Sequence, residues 1–120
     1  MNKMITTNNN KINIVSEWLT AFNKTESADL KIVFMEALKD LPDEIQELND
    51  GYELRDLERL HKIAHKMKGL YGILNITEIY ELCNILNIET LKNNCDFIVI
   101  GEILKTMKEW LKFIKVEEHN

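Results

Sequence analysis

The sequence predicts an all-α protein: an antiparallel four-helix bundle in up-down-up-down order, with a short extra helix at its N-terminal side. Three observations lead there. Apolar residues recur at i, i+3, i+4, i+7 spacing through four long stretches, the period of a helix with one buried face. Four Gly and one Pro among 120 residues are too few for a sheet-rich fold, which needs turn residues every few positions. The polar segments between the periodic stretches are short, which favours neighbouring antiparallel helices. A chain of this length makes one domain, and its hydrophobic fraction of 45% is ordinary for a globular core.

Residues 1–11 hold six Asn or Thr and no periodicity, so they read as a flexible N-terminal tail. The bundle domain is expected over 12–116, with 117–120 as a C-terminal tail. Val15, Trp18, Leu19 and Phe22 mark a short amphipathic helix that docks across the end of the bundle. Ser27 with Asp29 starts the next helix, because a short polar side chain accepts from first-turn N–H groups. Its stripe is Leu30, Phe34, Leu38, Leu41, Ile45 and Leu48. Pro42 lies within it and predicts a bend, not a break, since the stripe resumes in phase. Asn49-Asp50-Gly51 is a turn signal. A helix over about 53–75 follows, with Leu57, Leu60, Ala64, Met67, Tyr71 and Leu74 inward. Thr77 is the expected cap of a helix whose stripe is Ile79, Leu82, Cys83 and Leu86. Lys92-Asn93-Asn94-Cys95-Asp96 makes a loop. The last helix, over about 97–115, carries Ile100, Ile103, Leu104, Met107, Trp110, Leu111 and Ile114.

Composition excludes several function classes. A net charge of −5 gives no global attraction to nucleic acid or to anionic membrane surfaces. No apolar run approaches the roughly 18–20 residues that span a bilayer, so no membrane insertion is expected. The polar N-terminus lacks the apolar stretch of a secretory signal. Cys83 and Cys95 do not form a CxxC pair and read as reduced thiols, Cys83 as a packing residue. The expectation is a cytoplasmic, monomeric domain.

The chemistry lies in LHKIAHKMKGLYGILN, residues 60–75. With Leu60, Ala64, Met67, Tyr71 and Leu74 inward, a rotation of 100° per residue places Glu58, His61, Lys62, His65, Lys68, Gly69 and Gly72 on the outer face or its edge. Two mid-helix glycines there are unusual. Each costs about 1 kcal/mol relative to Ala, against a total stability of roughly 5–15 kcal/mol. A glycine-lined helix crossing would place them on the core stripe, which is complete without them. Bare backbone beside His65 instead leaves room for a large group to approach its ring. Residues 55–68 also hold five cations (Arg55, Arg59, Lys62, Lys66, Lys68) against Asp56 and Glu58, so five minus two leaves +3 in an acidic chain. Lys68, about one turn after His65, can reach a phosphate carried on the imidazole, and Lys62, about one turn before it, less directly. A neutral imidazole nitrogen is nucleophilic near pH 7 without a dedicated base. Taken alone, the basic patch reads better as a solvated face with pairs such as Glu58 and Lys62.

AHKMKGLYG, residues 64–72, resembles the signature of histidine-containing phosphotransfer (HPt) domains, in which the phosphoacceptor His is followed at +3 by Lys and at +4 by Gly. His65, Lys68 and Gly69 match those places, and Gly72 matches a position that is small in many members. The resemblance extends over about 28–115. It implies an antiparallel four-helix bundle with His65 projecting from the middle of one helix. It implies a phosphorelay intermediate that takes a phosphoryl group from a receiver-domain aspartyl phosphate and passes it to another receiver. The implied partners are response-regulator receiver domains and a hybrid sensor kinase. No cofactor belongs to the chain itself, Mg²⁺ being expected on the receiver. By the same resemblance Asn87 falls where a polar side chain hydrogen-bonds near the imidazole or phosphate, and Gly69 and Gly72 admit the partner. Two departures stand out. Asn75 occupies a helix-closing place often held by Gly, and Asn tolerates the left-handed conformation that place requires. Leu70 and Tyr71 replace small residues and alter how closely a receiver could dock.

Other readings have weaker support. His61 and His65 have a chelating spacing, and Glu58-x-x-His61 matches half of a bundle metal site, but no second Glu-x-x-His exists. His119 lies in a terminal EEHN that reads as solvated. No nucleophile elbow, triad or Gly-rich phosphate loop occurs, so no ATP-dependent kinase activity is expected. The main alternative is a module of the same fold that docks to receivers without phosphotransfer.

Overall fold

A computed structural model describes residues 17–18, 20–24 and 27–112, together with the helical backbone of 113–119. Every regular element among them is helical. A short helical segment, α1, is described at 17–18 and 20–24, and four long helices follow: α2 (Ala28–Glu53), α3 (Leu57–Ile73), α4 (Thr77–Thr90) and α5 (Phe97–His119). The expected tail at 1–11 lies outside the described residues, as do Val15 and Leu19 of the first stripe.

α2 starts where the sequence places it. Ser27 is its cap, and the Ser27 hydroxyl accepts from the Leu30 N–H at 3.2 Å. The helix runs through Pro42 without a break. It also runs through Asn49-Asp50-Gly51, which corrects the expected turn. Gly51 is buried against Leu60, where a Cβ would stand 3.2 Å from Leu60 Cγ. Tertiary packing therefore keeps this glycine helical and overrides its local turn preference. The reversal falls at Leu54-Arg55-Asp56 instead. Arg55 adopts φ 54°, and the Arg55 and Asp56 N–H groups donate to the Tyr52 and Gly51 carbonyls at 3.1 and 2.9 Å. The Arg55 guanidinium then stacks over the Tyr52 and Phe97 rings at 4.9 and 4.3 Å.

α3 begins at Leu57, later than the pattern suggests, because the Asp56 carboxylate caps it by accepting from the Arg59 N–H at 3.1 Å. Its end is closed as expected at Asn75, with φ 60°. The Asn75 N–H donates to Gly72 O at 3.2 Å and the Ile76 N–H to Tyr71 O at 3.0 Å. The cap of α4 is Ile76, with no side-chain bond, and Thr77 is already its first helical residue. α5 continues to His119, beyond the expected end of the last helix.

α3 packs against α2 and α4, and α5 packs against α2 and α4, which closes a ring of four helices. The core holds Leu41, Ile45, Leu48, Leu60, Met67, Tyr71, Ile79, Leu86, Ile100, Leu104 and Met107. Each such large side chain contributes about 1.5–3 kcal/mol on burial. α1 covers one end. Trp18 is buried edge-on to Trp110, with ring centroids 5.5 Å apart, and its indole N–H donates to Glu78 Oε1 at 2.8 Å. Phe22 lies 4.9 Å from Phe34. Tyr71 belongs to this core and not to a docking face. Its hydroxyl lies 3.0 Å from the Ala37 carbonyl and 2.9 Å from Glu44 Oε1. It thereby ties α3 to α2 just before Pro42, which has no N–H for the Leu38 carbonyl. Cys83 is buried as a packing residue, and burial pushes its thiol up to about 12.

Candidate functional site

Leu60, Ala64, Met67 and Tyr71 bury one face of α3 and so fix the other outward. His65 is exposed on that outer face, and Lys68 is half-buried beside it. Lys68 does not extend freely: its ammonium stands 5.9 Å from the centre of the Tyr80 ring of α4. A cation over an aromatic face is attracted by about 0.5–1 kcal/mol at exposed sites, enough to bias the lysine towards α4. Lys68, Gly69, Gly72 and Tyr80 line, with His65 and Glu81, an open cleft of about 660 Å³.

The two glycines separate in role. Gly69 is exposed, and a Cβ built on it would meet nothing within 4 Å among the described residues. Open backbone there leaves room beside His65. Gly72 is covered by its own chain: a Cβ would lie 3.1 Å from Tyr80 Cδ1 and 3.3 Å from Cε1. The close-crossing explanation, set aside for both glycines on the sequence, therefore applies to Gly72. The space there is filled by Tyr80.

Of the local excess of cations, little is directed at His65. Arg55 is stacked at the α2–α3 corner, and Arg59 pairs with Asp50 at 3.9 Å. Lys62 is exposed and lies 4.0 Å from Glu58, the helical pair expected of a solvated face. Among these cations Lys68 lines the cleft with His65.

Asn87 is buried on the α4 side. Its amide N–H donates to the His61 carbonyl at 3.3 Å, one turn before His65, and its Oδ1 has no partner among the described residues. His61 is half-buried, with Nδ1 3.0 Å from the Thr90 hydroxyl. The His61 and His65 rings lie parallel within 12°, their centroids 6.3 Å apart. The described residues hold no group of three or more His, Cys, Asp or Glu placed to share a metal ion.

Sequence reasoning missed Tyr80, which fills the space above Gly72 and attracts Lys68. A large aromatic on one helix facing a glycine on the next was its only available signal. It also missed the grip of Thr90 on His61, which depends on helix register across 29 positions of chain.

The outward face of α3 can offer a nucleophilic imidazole with an ammonium beside it and clear backbone after it, the parts that phosphoryl transfer to histidine requires. Among the described residues no helix is long and apolar enough to cross a membrane. Comparison with curated proteins and with solved structures returns no match. A family model, the Hpt domain, matches residues 33–110, well over half of the chain and including all of α3 and α4. With it comes the family's general role, histidine phosphotransfer in two-component signalling by a phosphocarrier and not a kinase. By that match, the chain belongs to the Hpt domain family.

Proposed function

We propose that His65 is the phosphoacceptor of a phosphorelay intermediate, taking a phosphoryl group from a receiver-domain aspartyl phosphate and passing it to a second receiver. The observation that carries this reading is the position of His65: exposed in mid-helix, lining one cleft with Lys68, and with the open backbone of Gly69 one turn on. A ring-nitrogen lone pair attacks phosphorus, and an N–P bond forms as the acyl-phosphate P–O bond breaks. The receiver keeps the released aspartate carboxylate. The proton on the second ring nitrogen balances the new charge until it is released or the group moves on. Lys68 supplies positive charge to the transferring oxygens, its hold on Tyr80 being weak enough to exchange for a charge-assisted bond. Gly69 admits the receiver, which brings the Mg²⁺ and the acidic pocket. Lys62 acts at longer range, and Asn87 supports the site through the His61 turn. The same reading takes the four long helices in up-down-up-down order, and the chain as a cytoplasmic monomer served by a hybrid sensor kinase. Its two free thiols, Cys83 and Cys95, suit that compartment.

Lys68→Ala tests the chemistry against the fold. Losing the Lys68 contact with Tyr80 costs at most about 1 kcal/mol, so melting should fall only slightly while labelling from a phosphorylated receiver slows. A large fall in melting temperature with normal transfer would mark Lys68 as structural. Binding of the receiver with no label acquired by the wild-type chain would mark a docking module instead.

A further inference from the structure

α4 holds one residue of α3 twice. Asn87 Nδ2 donates to the His61 carbonyl at 3.3 Å, and the Thr90 hydroxyl lies 3.0 Å from His61 Nδ1. The Asn87 amide can sit only this way round, because the reversed amide would set oxygen against carbonyl oxygen. Its Oδ1 is left buried without a partner among the described residues. The Thr90 oxygen is also 2.8 Å from the Leu86 carbonyl and 3.2 Å from the Asn87 carbonyl. Carbonyls only accept, and a hydroxyl proton given to the nearest of them leaves the oxygen to accept from the ring. In that arrangement His61 carries its proton on Nδ1 and its lone pair on Nε2. The ring held in this way lies parallel to His65 at 6.3 Å. A merely solvated histidine would not engage two buried residues of the neighbouring helix.

We propose that His61 is a positioning residue for transfer at His65, with Thr90 as the residue that fixes its tautomer and orientation. This rests on His65 being the phosphoacceptor. An exposed histidine samples roughly six combinations of staggered χ1 and two-fold χ2. The neighbouring ring, fixed through α4, narrows that set and holds the reactive imidazole ready for in-line attack. Restriction from about six orientations to one is worth at most about sixfold in rate. His61 touches neither the phosphorus nor the leaving oxygen in this account and is not a catalytic residue.

The test uses the full chain with two donors. Phosphoramidate is small and needs no docking surface, whereas a phosphorylated receiver needs one. Thr90→Val and His61→Ala should slow labelling of His65 about two- to sixfold with both donors, and Thr90→Ser, which keeps the hydroxyl, should restore the wild-type rate. Nitrogen-15 NMR should show neutral His61 as the Nδ1–H tautomer in the wild type and its loss in Thr90→Val, while the helical circular dichroism is kept. Unchanged rates with both donors would overturn the proposal. A loss with the receiver alone would do so too, by making His61 a docking contact. An Nε2–H tautomer in the wild-type protein would refute the lock whether or not His65 is the acceptor. Absence of any label on wild-type His65 would instead remove the phosphoacceptor reading on which the proposal stands.

Discussion

Gly69 and Gly72 lie three residues apart on one helix, yet their surroundings predict opposite responses to an added methyl group. At Gly69 the space is open, so Gly69→Ala should gain up to about 1 kcal/mol from helix propensity alone. At Gly72 the same methyl would press on the Tyr80 ring at 3.1 Å, and the ring must move away from Lys68 or the helices must part. Gly72→Ala should therefore gain less than Gly69→Ala or lose stability outright. Circular dichroism melts of the two variants, run in parallel, decide this; equal gains would mean that Tyr80 does not cover Gly72. Function should run the other way at Gly69. Gly69→Ala should slow transfer from a receiver and Gly69→Leu slow it further, since the added side chain stands where a partner must approach. Normal transfer in both would remove the docking role of that glycine.

Among the elements, α2 and α3 are joined by the buried Glu44–Tyr71–Ala37 contact. Burial is the main cause that raises the Glu44 carboxyl above its ordinary value of 4.5, and it outweighs the lowering by the Tyr71 hydrogen bond and by Lys66. A carboxyl raised in the folded state binds its proton more tightly there than in the unfolded chain. Its contribution to stability is thus complete below 4.5 and is lost as pH rises through the folded value. Glu44→Gln keeps hydrogen-bonding groups at this place without the charge. Its melting temperature relative to wild type should therefore improve from pH 4.5 to pH 7; no change in that difference would show that Glu44 does not titrate as described. Glu89 runs in the opposite sense. The Asp96 N–H and the Lys92 ammonium hold its carboxyl below the usual range, so its support of the α4–α5 loop is present above 4.5 and is lost as pH falls through its folded value. Tyr71→Phe leaves the Glu44 carboxyl and the Ala37 carbonyl without the shared hydroxyl, and should cost about 1–3 kcal/mol.

The same elements show what a sequence reveals. Stripes of large apolar residues on α2, α3 and α5 were legible because burial imposes the helical period directly, and Ser27 and Asn75 were legible because capping and left-handed backbone select few residue types. The α2–α3 corner was not. Asn49-Asp50-Gly51 carries every local mark of a turn, but Gly51 is needed as a small residue against Leu60 and the Gln46 amide donates to the Asp50 carboxylate along the helix at 2.9 Å. The real corner uses Arg55, a residue with no turn preference, whose left-handed backbone is offset by stacking on two rings. That His65, Lys68 and Gly69 share one outward face could be read from a single helix, because the helical period alone sets it. Tyr80, Thr90 and the true surroundings of Gly72 and Asn87 could not, because they depend on how two helices meet.

At the scale of the whole molecule, an acidic chain presents one helix face where a histidine, an ammonium and bare backbone come together. The ring of four helices buries the other side of α3 and turns that face outward. The central claim is that His65 receives the phosphoryl group, and site mapping tests it most directly. Mass spectrometry of the chain after reaction with a phosphorylated receiver should place an acid-labile, base-stable phosphate on His65, and a His65→Gln variant should take none. Equal labelling of that variant, or a phosphate mapped to His61 in the wild-type chain, would contradict the account.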